Sequence, residues 1–155
     1  MASCKERLMA HFQEQGVAFE ELSFPEVYTA QEVAAQLHVP GWQLAKVVMA
    51  KVGEGLAMLV LPAPARVDFS QLKEALGAKE VELAREREFA DRFPDCEVGA
   101  MPPFGSLYQV PTYVDESLVG AGEIVFLAGT HNEALKLSTA DYERLAQPQV
   151  LSFAR

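Results

Sequence analysis

The sequence predicts an α+β fold, a single domain over residues 1–155 with a mixed, barrel-like β-sheet flanked by helices. Three observations carry that expectation. Helical and strand-like patterns are interleaved without a strict βαβ rhythm. A chain of 155 residues with 50% hydrophobic content can bury one core without covalent staples. No repeat, linker or low-complexity segment divides it.

The elements follow in order. In "SCKERLMAHFQEQG", Ser3 and Glu6 stand at capping-box spacing, Leu8 and Phe12 lie four apart, and Gly16 suits the stop, which predicts a helix. "VAFEELSF" reads as a strand. Thr29 and Glu32 repeat the capping box ahead of Val33 and Leu37, predicting a second helix that "HVPGW" ends. "LAKVVMAKV" and "LAMLVLPA" are two apolar strands joined by "GEG", a hairpin turn that glycine permits. "DFSQLKEALG" predicts a short helix capped by Asp68 or Ser70, "KEVELA" a strand and "REREFADRF" a helix. A glycine- and proline-dense loop, "CEVGAMPPFGSL", precedes strands at "LYQVPTYVD", "EIVFLAG" and "EALKLS", and "STADYERLA" closes as a helix capped by Ser138 or Thr139.

Composition narrows the function. A formal net charge of -9 is the wrong sign for tight, autonomous binding to nucleic acid, which depends on cations that displace phosphate counterions. The arginines of "AREREFADRFPD" alternate with acids and read as a solvated helix face. Only 2 cysteines occur, Cys4 and Cys96, with no C-x-x-C pattern, which fits a reducing, cytoplasmic setting and gives no disulfide framework. The charged N-terminus is unlike a signal peptide, and no apolar run approaches membrane-spanning length, so no membrane partner is expected.

Three features carry candidate chemistry. Lys46 lies inside "LAKVVMAK", and strand alternation places it on the face of Leu44, Val48 and Ala50. Such a lysine either snorkels to water past the core or holds a positive charge in a dry cleft, useful against a carbonyl or phosphate. "GAMPPFG", Gly99 to Gly105, is stiffened by two prolines and freed at its ends by glycines; it is either a connector or a preorganised wall. Gly129, Thr130 and His131 follow a strand end, with His131 either a turn residue or a functional imidazole. His11, His38 and His131 show no metal-ligand spacing, and neither cysteine has an identifiable base, so no metal and no cofactor is expected.

Taken together, "YTAQEVAAQLHV", "LAKVVMAKV", "GAMPPFG", "EIVFLAGTHNEAL" and "STADYERLA", in that order, resemble the YbaK family of aminoacyl-tRNA deacylases, which also occur as the editing insertion domain of bacterial prolyl-tRNA synthetases. The resemblance implies a central catalytic lysine, matching Lys46. It implies a G-x-x-x-P loop lining the site, matching Gly99, Ala100, Met101, Pro102 and Pro103, and a glycine-containing turn matching Gly129, Thr130 and His131. Histidine at that turn is similar to members that remove alanine from mischarged proline tRNA. Tyr28, Met101, Phe104 and His131 are the expected pocket walls.

The implied activity is trans-editing: hydrolysis of the ester of a small mischarged amino acid, alanine on proline tRNA first, serine or threonine next. The implied partners are the CCA end of a mischarged aminoacyl-tRNA, bound weakly and in a salt-sensitive way, and an aminoacyl-tRNA synthetase. A local positive potential around Lys46 and Lys51 would guide the phosphates. The alternative is a non-catalytic binding module associated with a synthetase or tRNA.

Overall fold

The computed structural model describes residues 2–25 and 29–155. Helix α1 (Cys4–Glu14) begins where predicted: the Ser3 hydroxyl accepts the Glu6 amide at 3.2 Å. Strand β1 (Glu20–Ser23) is shorter than the strand expected over 17–24. Helix α2 (Ala30–Leu37) is capped by Thr29, whose Oγ1 accepts the Glu32 amide and donates to the Glu32 carboxylate, both at 3.1 Å. After a 3-10 turn at Gly41–Gln43 come β2 (Ala45–Val52) and β3 (Gly55–Pro62), an antiparallel hairpin whose turn uses Gly53 at φ 62. Then follow α3 (Phe69–Leu76), β4 (Val81–Leu83), α4 (Glu86–Phe89), β5 (Thr112–Asp115), α5 (Glu116–Val119), β6 (Glu123–Leu127), β7 (Glu133–Ser138), α6 (Thr139–Ala146) and β8 (Gln149–Leu151).

Among the described residues the strands form two sheets, which do not close into the barrel-like sheet expected from the sequence. One has the order β4-β2-β3-β5-β8, with β3–β5 and β5–β8 parallel; the other has the order β1-β7-β6 and is antiparallel. Alternation along the strands explains the layering. Met49, Met58, Val60, Val114, Ile124, Phe126, Leu135 and Leu137 meet in the central core with Leu8 and Phe12 of α1 and Tyr142 of α6. The opposite face of the larger sheet, Ala50, Leu59 and Leu61, packs under Leu72 of α3 and Phe153. The opposite face of the smaller sheet, Val125 and Ala134, packs under Val33 of α2. Strand β3 is thus covered on both sides, which is why it reads as an unbroken apolar run.

Three expectations change. The strand expected over 107–115 is confined to Thr112–Asp115; residues Gly105–Tyr108 form a 3-10 turn, and Gln109 takes φ 55 before Pro111, which lacks an N–H for a ladder. The helix expected over 85–93 breaks into α4 and a 3-10 turn at Ala90–Arg92. Helix α5 and strand β8 are additional. Asp115 secures them: it is buried, its Oδ2 accepts the Ser117 amide at 3.1 Å, and its Oδ1 accepts the amides of Phe153 and Ala154, each at 2.9 Å. No helix among the described residues is long and apolar enough to cross a membrane.

Candidate active site

Besides packing face to face through the central core, the two sheets are joined along the backbone, among the described residues, by an isolated parallel bridge from Leu44 to Val125. A parallel ladder would continue two residues on, with Lys46 opposite Leu127. That pairing is absent, and the strands part. Strand β2 regains a neighbour on this edge only at Met49, whose carbonyl accepts the Ala84 amide at 2.9 Å. A cleft of about 240 Å³ opens at the divergence, lined by the α2 cap Thr29, Val33 of α2, Leu44 just before β2, Ala45 to Val47 at its start, Leu127 at the end of β6, and Gly99, Met101 and His131.

Lys46 is half-buried on the cleft wall, in the same row as Val48 and Ala50. Among the described residues no carboxylate lies within ion-pair distance of its ammonium. Burial, and then the positive charge of Arg66, hold its pKa below the ordinary lysine value. Lys51 does not share this setting: it pairs with Glu88 at 2.9 Å, so the positive character expected around Lys46 and Lys51 belongs to Lys46 and Arg66.

Two loops form the facing wall and are laced together. The Glu97 amide donates to the Gly129 carbonyl at 2.7 Å, and the Gly129 amide donates to the Ala100 carbonyl at 2.9 Å. Gly129 needs its positive φ of 99, and it rests on Cys4 of α1. His131 then leans across: its backbone N–H donates to Glu97 Oε1 at 2.9 Å, and its Nδ1 lies 3.0 Å from the same oxygen. Both contacts hold the Glu97 carboxyl below the usual carboxylate range.

The structure therefore brings Lys46, Gly99, Met101 and His131 to one cleft. Ala100, Pro102 and Pro103 are buried behind it, where the Pro103 carbonyl accepts the Tyr142 hydroxyl at 2.9 Å. Phe104 is not a wall. Its ring sits in the central core, with ring centroids 5.6 Å from Phe12, 5.5 Å from Phe126 and 5.3 Å from Tyr142. Thr130 turns its hydroxyl to Asn132 and Glu133, and Gly129 acts through its backbone. Tyr28 lies outside the described residues. Sequence reading missed Val33, Leu44, Leu127 and Glu97. The first three look like ordinary core residues, and Glu97 is one acid in a chain with 22 Asp and Glu. No group of His, Cys, Asp and Glu that could hold a metal ion occurs among the described residues.

Several known proteins resemble this chain in sequence or in fold. The multifunctional Ser/Thr-tRNA deacylase ProXp-y of Escherichia coli (strain K12) is 32% identical over 155 residues, covering 97% of this chain and 92% of that protein. The proline–tRNA ligase of Bacillus cereus (strain G9842) is 26% identical over 131 residues, covering 84% of this chain but 23% of the ligase. A solved structure described as a candidate trans-editing enzyme for prolyl tRNA synthetase shares the fold, with a TM-score of 0.83 at 20% identity over 100% of this chain and 99% of that one. The model of the aminoacyl-tRNA editing domain matches residues 24–145, and the chain belongs to that family.

Proposed function

We propose that this protein is a deacylase acting in trans on mischarged tRNA, hydrolysing the ester between a small amino acid and the terminal ribose. The observation that carries the reading is Lys46, a partly desolvated ammonium on the wall of a small cleft in an editing-family chain. In the reaction, water attacks the ester carbonyl, negative charge gathers on the carbonyl oxygen, and the ribose oxygen leaves with a proton. A cation in a poorly hydrated recess stabilises that oxygen, or the terminal phosphate beside it, more strongly than it would in bulk water. The neighbouring ribose hydroxyl activates the water, so no side-chain nucleophile is needed.

Size supports a small acyl group. The cleft of about 240 Å³ is smaller than the ~300–1,000 Å³ common for drug-sized ligands, and Val33, Leu44, Met101 and Leu127 give it apolar walls. Such a site answers a real need, because an aminoacylating pocket rejects an amino acid one methylene smaller by only about 1–3 kcal/mol. Serine and threonine rank first, on the name of the 32% identical relative; alanine on proline tRNA ranks second, on the histidine in the 129–131 turn. With a net charge of -9, contact is confined to the CCA end, for which a weak encounter, or delivery by a synthetase, suffices.

The test is a panel of tRNAs charged with alanine, serine and threonine, on their own tRNAs and on proline tRNA, incubated with the wild type and with Lys46→Ala. Hydrolysis of a small-amino-acid ester that drops about 10²-fold or more in the variant supports the reading. An active Lys46→Ala variant, or a wild type that leaves the whole panel charged, overturns it.

A further inference from the structure

The cleft has a polarity that Lys46 alone does not explain. One oxygen of Glu97 receives both the backbone N–H and Nδ1 of His131. A carboxylate can only accept, so the neutral imidazole carries its proton on Nδ1 and leaves Nε2 with a free lone pair. That nitrogen is turned toward Gly99: a Cβ built on residue 99 would stand 3.3 Å from it, and both residues line the cleft. Among the described residues Nε2 has no hydrogen-bond partner.

We infer that Glu97 is a positioning residue that fixes the tautomer and tilt of His131, so that Nε2 receives the α-ammonium of the aminoacyl ester. The inference rests on the deacylase reading. Lys46 makes one wall positive; the Glu97 carboxylate behind His131 makes the other negative. An aminoacyl ester carries an ammonium and a carbonyl on adjacent carbons, so the field turns the ammonium to His131 and the carbonyl oxygen to Lys46. Productive orientation is thereby set by charge rather than by side-chain fit, which suits a site whose acyl group offers little surface to grip. Glu97 touches no substrate and acts through the ring. Its own side chain is 53% exposed, so its removal leaves the core intact.

Two measurements test this. The first is the ¹⁵N spectrum of the His131 ring at about pH 8.5, where an ordinary imidazole is neutral. The wild type is expected in the Nδ1–H form, Glu97→Ala in the Nε2–H form, and Glu97→Gln, which keeps an acceptor oxygen, restored toward Nδ1–H.

The second compares an aminoacyl-tRNA with its α-hydroxy analogue, of equal size but without the positive charge, each rate being divided by its uncatalysed rate. The wild type is expected to prefer the amine about tenfold or more in kcat/KM, the scale of one charge-assisted hydrogen bond, mainly through KM. Glu97→Ala and Glu97→Gln are expected to compress that preference to less than about threefold while still hydrolysing the analogue. A wild-type ring in the Nε2–H form, or an amine preference unchanged in both variants, overturns the inference. A wild type that hydrolyses neither ester overturns the deacylase reading and the ammonium site with it, and the ring spectrum then decides separately whether Glu97 orients His131.

Discussion

Gly129 lies directly on Cys4: a Cβ at position 129 would stand 2.6 Å from Cys4 Cβ and 3.1 Å from its sulfur. Cys4 cannot easily yield, since it is buried in the central core and the Tyr108 hydroxyl lies 3.8 Å from its sulfur. Gly129→Ala should therefore combine overpacking of about 1–3 kcal/mol with a penalty of ~1 kcal/mol for its positive φ. Urea unfolding should show a loss of about 2–4 kcal/mol from these two sources. In a Cys4→Gly background the same Gly129→Ala change should cost only the backbone part, because the clash is gone. A Gly129→Ala protein as stable as the wild type would contradict the close packing.

Lys46 should trade stability for activity. Burial and Arg66 lower its pKa in the folded state, so the folded chain holds this proton less tightly than the unfolded one. The protonated lysine thus costs stability at neutral pH, and the cost fades as pH rises from the lowered folded value toward the unfolded value of about 10.4. Lys46→Met should raise Tm, at roughly 2–4 °C per kcal/mol relieved, while lowering hydrolysis about 10²-fold or more. The wild-type rate should also fall on the alkaline side at a lower pH than an ordinary lysine would give. A lower Tm for Lys46→Met would mean that the ammonium is paired after all.

Gly99 separates the two effects in the other direction. Its φ of 87 and the 3.3 Å approach of His131 Nε2 leave little room for a side chain. Gly99→Ala should lose only about 1 kcal/mol of stability, because the ring can swing outward, yet lose about tenfold or more in kcat/KM as the ring leaves its place. Thermal melting beside steady-state kinetics reads both. Full activity would show that the position of the ring does not matter.

Asp115 should govern the acid limb of stability. Burial alone would raise its pKa, but the Ser117 hydroxyl and the amides of Phe153, Ala154 and Ser117 together hold it below the ordinary carboxylate value. A lowered folded pKa contributes stability that is present above the unfolded value of about 3.9 and is lost as pH falls through the folded value. Asp115→Asn should cost about 1–3 kcal/mol at neutral pH by weakening those bonds, and the difference from wild type should shrink in acid. Urea midpoints across that pH range check it.

Binding to tRNA should be weak and should weaken further with salt. The chain is acidic overall, and Lys51, the expected second cation, is already paired with Glu88. Titrations at about 50 and 200 mM salt should show a shallow negative slope, from one or two phosphate contacts. Nanomolar affinity of the isolated protein near 0.15 M salt would be inconsistent with this.

Local signals were legible in the sequence, and long-range ones were not. Ser3 with Glu6 and Thr29 with Glu32 announced their helices because a capping box is closed within four residues. Strand β8 is three residues long and pairs in parallel with β5, while α5 is a single turn capped by Asp115; neither has the length for a periodic pattern. The division into two sheets turns on Leu44 meeting Val125, a contact between distant segments. Lys46 stood out because a charge in an apolar run is locally odd. Phe104 misled, because neighbours in a stiff loop face different ways, and its ring follows the aromatic cluster of Phe12, Phe126 and Tyr142. Glu97 became visible only when the turn at residues 129–131 was seen to fold onto it.

The cleft is a seam left where two strands fail to meet, not a hole in packed material. Its width is set by how far the tip of β6 stands from β2, and Leu127 at that tip is only partly buried. Substitution at Leu127 should therefore change the width of the seam while Met58, Val60 and Phe126 keep the two layers together. The proposed acyl selectivity would then be set along the seam and not in the layers that carry the fold.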